Sequence, residues 1–384
     1  MNFEFATATR IIFGSKTFKQ TGSLAAELGR RILAVTGSST ERSNRLIEQL
    51  MVSGVEIDQY SVKGEPTVDV VNSGINFVRE QGCDVVVAFG GGSVLDTGKA
   101  IAGMADNPGD LYDYLEVIGK GKKLVHPSLP FMAIPTTAGT GTEVTRNAVI
   151  GSPPHGVKVS LRSAYMLPRI ALVDPDLTID LPPNVTAFTG MDALTQLIEP
   201  YTTKLPNPMV DIISLEGVRR ISHSLLRVYQ DGTDPDSRTN MAMASMYSGI
   251  SLANAPLGAV HGFAGPIGGM LPAPHGAICA RLLPLVMEIN IKALENGRGD
   301  HSLLRRYETV ATALTGKRNA KAMHGVEWVY QIREKLKIQP LGDYGLTEAN
   351  IPELVEKSSR ASSMKGNPVQ LSMEEMTTIL LRAI

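Results

Sequence analysis

Residues 84–89, DVVVAF, are a strongly apolar run, unbroken after Asp84, that ends in Gly90-Gly91-Gly92-Ser93 and continues into VLDTGKAIAGMA. A short apolar run closed by glycines reads as a strand with both faces buried, and the stretch after it as a helix. Strands buried on both faces belong to parallel sheets covered by helices. This one junction therefore selects an α/β architecture. The neighbouring pattern agrees. Residues 7–13, 31–36, 55–62, 131–135 and 169–174 read as further strands, with helices over 17–28, 41–54 and 67–81. Such alternation argues for a parallel sheet with helices on both sides. Residues 147–151 and 158–161 read as two short strands in a hairpin-like excursion.

After Pro182-Pro183 the pattern changes. Nine helical stretches follow with no convincing strand, the first over 184–200 with Asn184 as its expected cap. The expected domains are an α/β unit over 1–181 and an all-α unit over 182–384. A chain of 384 residues is long enough for both cores. The net charge of −1, with no basic run, gives no reason to expect nucleic acid or an anionic membrane as partner. No signal-peptide pattern opens the chain, and Cys83 and Cys279 are isolated, which fits a reducing cytoplasm better than a disulfide framework.

The glycine-rich junction also carries chemistry. Bare backbone N–H groups at a helix N-terminus, with the helix dipole behind them, favour a phosphate or pyrophosphate. The other reading is a plain tight turn, although three successive glycines and a serine exceed what a turn needs. A P-loop is excluded: Gly92 and Gly98 are one residue too far apart, and Lys99 is followed by Ala100, which has no hydroxyl. A dinucleotide fingerprint starting at Gly139 fails because Val144 stands where the third glycine is needed. IPTTAGTGTEVT, residues 134–145, nonetheless places Thr136, Thr137, Thr140 and Thr142 on a flexible backbone. Those hydroxyls suit a ribose-phosphate or an amide, or they cap their neighbours.

The second candidate site lies in the helical half. VHGFAGPIGGMLPAPHG, residues 260–276, holds His261 and His275, two of only seven histidines, with His275 at a break between helices. Upstream, GMDALTQLIEP places Asp192 and Gln196 four residues apart, on one helix face. A carboxylate, an amide oxygen and two imidazoles from three segments can hold a divalent cation. The alternative is a pair of core histidines bonded to backbone carbonyls.

GGGSVLDTGKAIA, IPTTAGTGTEVT, LVDPDL, GMDALTQLIEP and HGFAGPIGGMLPAPHG, in this order, make the chain resemble the iron-containing (group III) alcohol dehydrogenases over essentially its whole length. The resemblance implies a dehydroquinate synthase-like fold, with an α/β dinucleotide-binding domain, a helical metal domain and the active site in the cleft. It implies hydride transfer between NAD or NADP and a small alcohol or aldehyde. It assigns Gly90, Gly91, Gly92 and Ser93 to the pyrophosphate, with Asp96 just beyond and Lys99 on the following helix. Thr136, Thr137 and Thr140 match residues that touch the adenine-ribose and nicotinamide parts, and Asn147 and Lys158 match cofactor-side positions. Asp192, His261 and His275 match three of four metal ligands, for iron or zinc.

His261 and His275 are accordingly the candidate catalytic residues. They either hold a Lewis-acid ion or, in a metal-free pocket, polarise the carbonyl by hydrogen bonds. Two positions depart from the family: Gln196 stands where the second ligand histidine is usual, and Gly265 where a further histidine is common. An amide oxygen is a weaker donor than imidazole. A metal-independent enzyme like the maleylacetate reductases, and a catalytically silent nucleotide-binding protein, are the alternatives. A lyase of the dehydroquinate synthase kind would need a richer basic cluster. The loop Gly37-Ser38-Ser39-Thr40 has no carboxylate, and glycine stands where an aspartate is common. That favours admission of the NADP 2′-phosphate, with Arg42 nearby. The family also implies a homodimer or higher homo-oligomer. Phe3 and Phe5 flank Glu4 in an alternation suited to a strand added across an interface.

Overall fold

The computed structural model describes residues 2–384. They fall into two compact units: one comprises residues 7–137 and 141–178, the other residues 2–6, 138–140 and 179–384.

The first unit is built on a six-stranded sheet, paired in parallel throughout. Its strands are β1 (Arg10–Phe13), β2 (Arg31–Gly37), β3 (Glu56–Val62), β4 (Val85–Gly90), β5 (Phe131–Pro135) and β8 (Ile170–Val173), in the order β1-β8-β5-β4-β2-β3. β4 lies inside the sheet between β2 and β5, and all six of its residues are buried, as its unbroken apolar sequence requires. Its two faces feed separate cores. Val86 and Ala88 join one, Val85, Val87 and Phe89 the other. The connecting helices are α1 (Thr21–Ala26), α2 (Thr40–Met51), α3 (Val68–Gln81) and α4 (Gly92–Met104). The excursion is a two-stranded antiparallel pair, β6 (Asn147–Ser152) and β7 (Val157–Arg162), whose Ala148, Ile150, Val159 and Leu161 share a core with Ile101 of α4.

The helix expected over 17–28 is instead a 3-10 turn, Thr17–Gln20, followed by the short α1. Lys16 adopts a left-handed conformation and Thr17 Oγ1 donates to the Gly14 carbonyl, so the chain leaves β1 in a tight turn before a full helix can start.

The second unit is helical: α5 (Pro183–Thr202), α6 (Pro208–Gln230), α7 (Pro235–Asn254), α8 (Ala259–Met270), α9 (His275–Glu295), α10 (Ser302–Thr315), α11 (Ala322–Lys335), α12 (Ile351–Ser359) and α13 (Met373–Leu381). α5 begins one residue before its expected cap. Pro183 takes the first helical position, where its fixed φ fits and its missing N–H costs nothing, so Asn184 lies inside the first turn. From Gly190 to Thr202 every residue of α5 is buried, which makes it the central helix of this unit. Leu194, Leu197 and Ile198 of α5 share one core with Ile278, Leu282 and Leu283 of α9.

Candidate metal centre and cofactor-side residues

Three helices of the second unit bring one cluster together. Asp192 lies in the middle of α5, His261 in the first turn of α8, and His275 is the first residue of α9, after the break that Pro272 and Pro274 impose. His261 Nε2 stands 3.6 Å from Asp192 Oδ1, and His275 Nε2 stands 3.7 Å from the same oxygen. Cys279, one turn along α9 from His275, joins them: its Sγ lies 3.6 Å from His275 Nε2, and the four donor atoms all fall within 4.8 Å of one another.

These separations are too long for good N–H···O hydrogen bonds. Asp192 Oδ1 and His261 Nε2 are both buried without a hydrogen-bond partner. Two ligands at ~2.1 Å from a tetrahedral ion stand about 3.4 Å apart. The cluster therefore has the spacing and the unsatisfied atoms that a divalent cation would complete, and its carboxylate and imidazole donors suit iron or zinc.

Glu199 stands behind His261, two turns along α5 from Asp192. Its Oε2 pairs with His261 Nδ1 at 2.6 Å, and its Oε1 accepts from the Val260 N–H at 2.7 Å. A carboxylate on one imidazole nitrogen fixes the ring and turns the other nitrogen toward the cluster. Gly258 makes this possible, because a Cβ there would lie 2.8 Å from Glu199 Oε1. Burial works against a charged His261, but Glu199 and Asp192 outweigh it and lift its pKa to about 10. Burial likewise works to raise Asp192, and the His275 and His261 charges outweigh it and hold the carboxyl below its usual range. Without an ion, the His261 ring lies between the Asp192 and Glu199 carboxyl groups.

Gln196 is placed beside this cluster. Its amide nitrogen donates to Asp192 Oδ2 at 3.1 Å, and its oxygen accepts from Ser248 Oγ at 3.0 Å. Neither Glu199 nor Cys279 is among the site residues expected from sequence, where Cys279 counts only as an isolated cysteine. The signal was present: Glu199 follows Asp192 by seven residues and Cys279 follows His275 by four, so each pair shares a helix face.

The cofactor-side candidates, Thr140 excepted, lie in the α/β unit. Gly90 ends β4, Gly91 precedes α4 in an extended conformation, and Gly92 and Ser93 open the helix, where first-turn N–H groups have no intrahelical acceptor. Packing alone demands glycine at 90, since a Cβ there would lie 2.6 Å from Val94. Thr136 donates its N–H to the Gly90 carbonyl, and Thr137 lies against Gly91, where a Cβ would meet its Cγ2 at 3.3 Å. Thr140 is in a three-residue segment of the helical unit, where the neighbouring Gly139 carbonyl accepts from Ser248 Oγ. Asp96 is buried; its Oδ2 accepts from the Val149 N–H at 3.1 Å and its Oδ1 has no partner. Burial lifts its pKa to about 6 against the pull of Lys99.

Lys99 is fully buried and donates to the carbonyls of Thr142, Thr145 and Asn147 and to Thr145 Oγ1, at 2.6–3.0 Å. It ties α4 to the segment between β5 and β6. Lys158 pairs with Glu65 at 3.1 Å. Gly37 ends β2, Ser38 and Ser39 are exposed, and the Ser39 side chain caps α2 by accepting from the Arg42 N–H.

Comparison with known proteins identifies the frame. Residues 8–175 match the iron-containing alcohol dehydrogenase family model, and residues 186–384 match the C-terminal model of the Fe-containing alcohol dehydrogenase family. A choline dehydrogenase of Bacillus subtilis is 33% identical over 383 residues, covering 98% of this chain and 94% of that protein. An archaeal alcohol dehydrogenase from a Red Sea brine pool superposes with a TM-score of 0.92 at 30% identity, covering 100% of this chain and 99% of the other. The sulfoacetaldehyde reductase of Bifidobacterium kashiwanohense, solved with NAD+, gives a TM-score of 0.88 at 26% identity, again covering 100% and 99%. These likenesses do not favour a metal-independent maleylacetate reductase or a silent nucleotide-binding protein. The chain belongs to the iron-containing alcohol dehydrogenase family, and it is an oxidoreductase that moves a hydride between NAD(P) and an alcohol or aldehyde.

Proposed function

We propose that this enzyme reduces a small aldehyde to its alcohol, and reverses the reaction, with Asp192, His261 and His275 holding iron or zinc beside the reacting oxygen. The observation that carries this reading is the pair of buried, unpartnered atoms, Asp192 Oδ1 and His261 Nε2, 3.6 Å apart. A bound cation supplies Lewis-acid polarisation of the carbonyl oxygen. Glu199 holds the His261 ring in place, and Gln196 fixes the Asp192 carboxylate through its second oxygen. The His275 side chain is 39% exposed against 8% for His261, so substrate approaches from the His275 side.

The nicotinamide supplies the hydride, and the protein positions it. Gly90, Gly91, Gly92 and Ser93 take the pyrophosphate at the α4 N-terminus. Asp96 lies just beyond that loop, and Thr136, Thr137, Thr140, Asn147 and Lys158 serve the ribose and nicotinamide parts. Gly37, Ser38 and Ser39 receive the adenosine side and tolerate the 2′-phosphate of NADP. Among the described residues no helix is long and apolar enough to cross a membrane. Both cysteines are free and buried, which supports a cytoplasmic enzyme.

The test is a panel of small aldehydes with NADH and with NADPH, run on protein purified without chelator, after chelation, and after readdition of iron or zinc. The expected result is turnover that falls on chelation and returns with metal. Full activity in protein shown by elemental analysis to hold no metal sinks the metal-dependent reading.

A further inference from the structure

We propose that Cys279 Sγ, and not the Gln196 amide, completes the cation site, giving an aspartate, two histidines and a thiolate; this rests on the metal-dependent reading above. Gln196 is occupied by other work. Both ends of its amide are engaged, one by Asp192 Oδ2 and the other by Ser248 Oγ. Through the first of these contacts it fixes the carboxylate whose Oδ1 lies in the cluster, so it acts as a positioning residue. Cys279 is on the same face of α9 as His275 and is fully buried. Its Sγ stands 3.6 Å from His275 Nε2. For a sulfur at ~2.3 Å and a nitrogen at ~2.1 Å from one tetrahedral ion, the expected separation is about 3.6 Å.

Two further edges, 3.6 Å and 3.7 Å from Asp192 Oδ1 to the two imidazoles, have nearly the same length, and all four donor atoms lie within 4.8 Å of one another. Asp192 Oδ1 and His261 Nε2, both buried and both without a hydrogen-bond partner, are the independent sign that a ligand belongs there. On binding, the thiol gives its proton to solvent as the sulfur–metal bond forms. A thiolate makes the site softer than one of oxygen and nitrogen alone, so zinc and cobalt are favoured over magnesium and manganese. With four protein ligands the substrate oxygen would have to enter as a fifth, which zinc accepts in some catalytic sites, and the half-exposed His275 side is where it would enter.

The experiment uses the full chain, stripped with chelator and titrated with Co2+ and Zn2+. The expected result is one cobalt per chain with a thiolate-to-cobalt charge-transfer absorption in the near ultraviolet. That signature needs no variant. In Cys279→Ser the absorption disappears and Zn2+ binding weakens by more than about tenfold, since loss of even an outer partner of a metal ligand costs about 10–100-fold. One bound cobalt without the absorption overturns the cysteine ligand and leaves the metal-dependent reading standing. No stoichiometric binding, or binding unchanged in His261→Ala, overturns both.

Discussion

At the scale of single residues, the α/β unit buries three ionisable side chains close together. Burial is the largest influence on each: it lowers Lys99 to about 8 and lifts Glu143 to about 7 and Asp96 to about 6, against their mutual attraction. Lys99 is legible in the sequence as part of GGGSVLDTGKAIA, but its four acceptors are not, because they come from residues 142–147, more than forty positions away. Glu143 gives a pH prediction. Its folded pKa lies above the ordinary value of 4.5. Between pH 4.5 and about 7 the unfolded chain has released this proton while the folded chain keeps it. Stability therefore falls as pH rises through that window, by roughly 3 kcal/mol in full. Glu143→Gln cannot ionise and escapes the loss. Thermal melting at pH 5 and pH 8 should show the variant gaining on the wild type by several degrees at the higher pH. An equal offset at both values contradicts the assignment.

At the scale of elements, spacing along one helix was the informative signal, and contact between helices was the hidden one. Asp192 and Gln196 are read from α5 alone, His261 from the scarcity of histidine, and His275 from the helix break at 271–274. Which atoms converge depends on how α5, α8 and α9 pack, and a lone cysteine in an apolar helix looks like core until His275 is placed beside it. The junction of β2 and α2 carries a second test. A Cβ at Gly37 would meet only Val94 Cγ2, at 3.7 Å, an ordinary contact. Gly37→Asp should therefore fold normally and place a new charge at the end of β2. If Gly37 receives the adenosine side of the cofactor, this charge opposes the NADP 2′-phosphate and spares NAD. The ratio of kcat/KM for NADPH over NADH should fall by about tenfold or more, equivalent to ~1.4 kcal/mol. Equal losses with the two cofactors would place the 2′-phosphate elsewhere.

At the scale of the whole molecule, the change of composition at Pro182-Pro183 marks where the long helical segment begins. It carries no sign that residues 2–6 and 138–140 belong with that segment. Side chains decide their membership: Asn254 brackets Ala6 by accepting from its N–H and donating to its carbonyl, Asn207 donates to the Glu4 carbonyl, and Ser248 donates to Gly139. The same contacts bear on assembly. Residues 2–8 lie in no helix or strand, yet hydrogen bonds hold the segment in place. Phe3 is 51% exposed, and Leu205, Met209 and Ile212 are exposed around Asn207, the residue that holds Glu4. An anchored segment beside exposed apolar side chains suits pairing with a second copy of this chain. A dimer has a mass of 82.4 kDa, twice the 41.2 kDa of one chain. Light scattering at micromolar concentration should give the dimer or a multiple of it. Phe3→Asp places a charge where the interface is expected, and it should raise the dissociation constant at least about tenfold, since burying an unpaired carboxylate is strongly unfavourable. A monomeric mass for the wild type at working concentration rejects the assembly, and an unchanged dimer in Phe3→Asp moves the interface away from this segment.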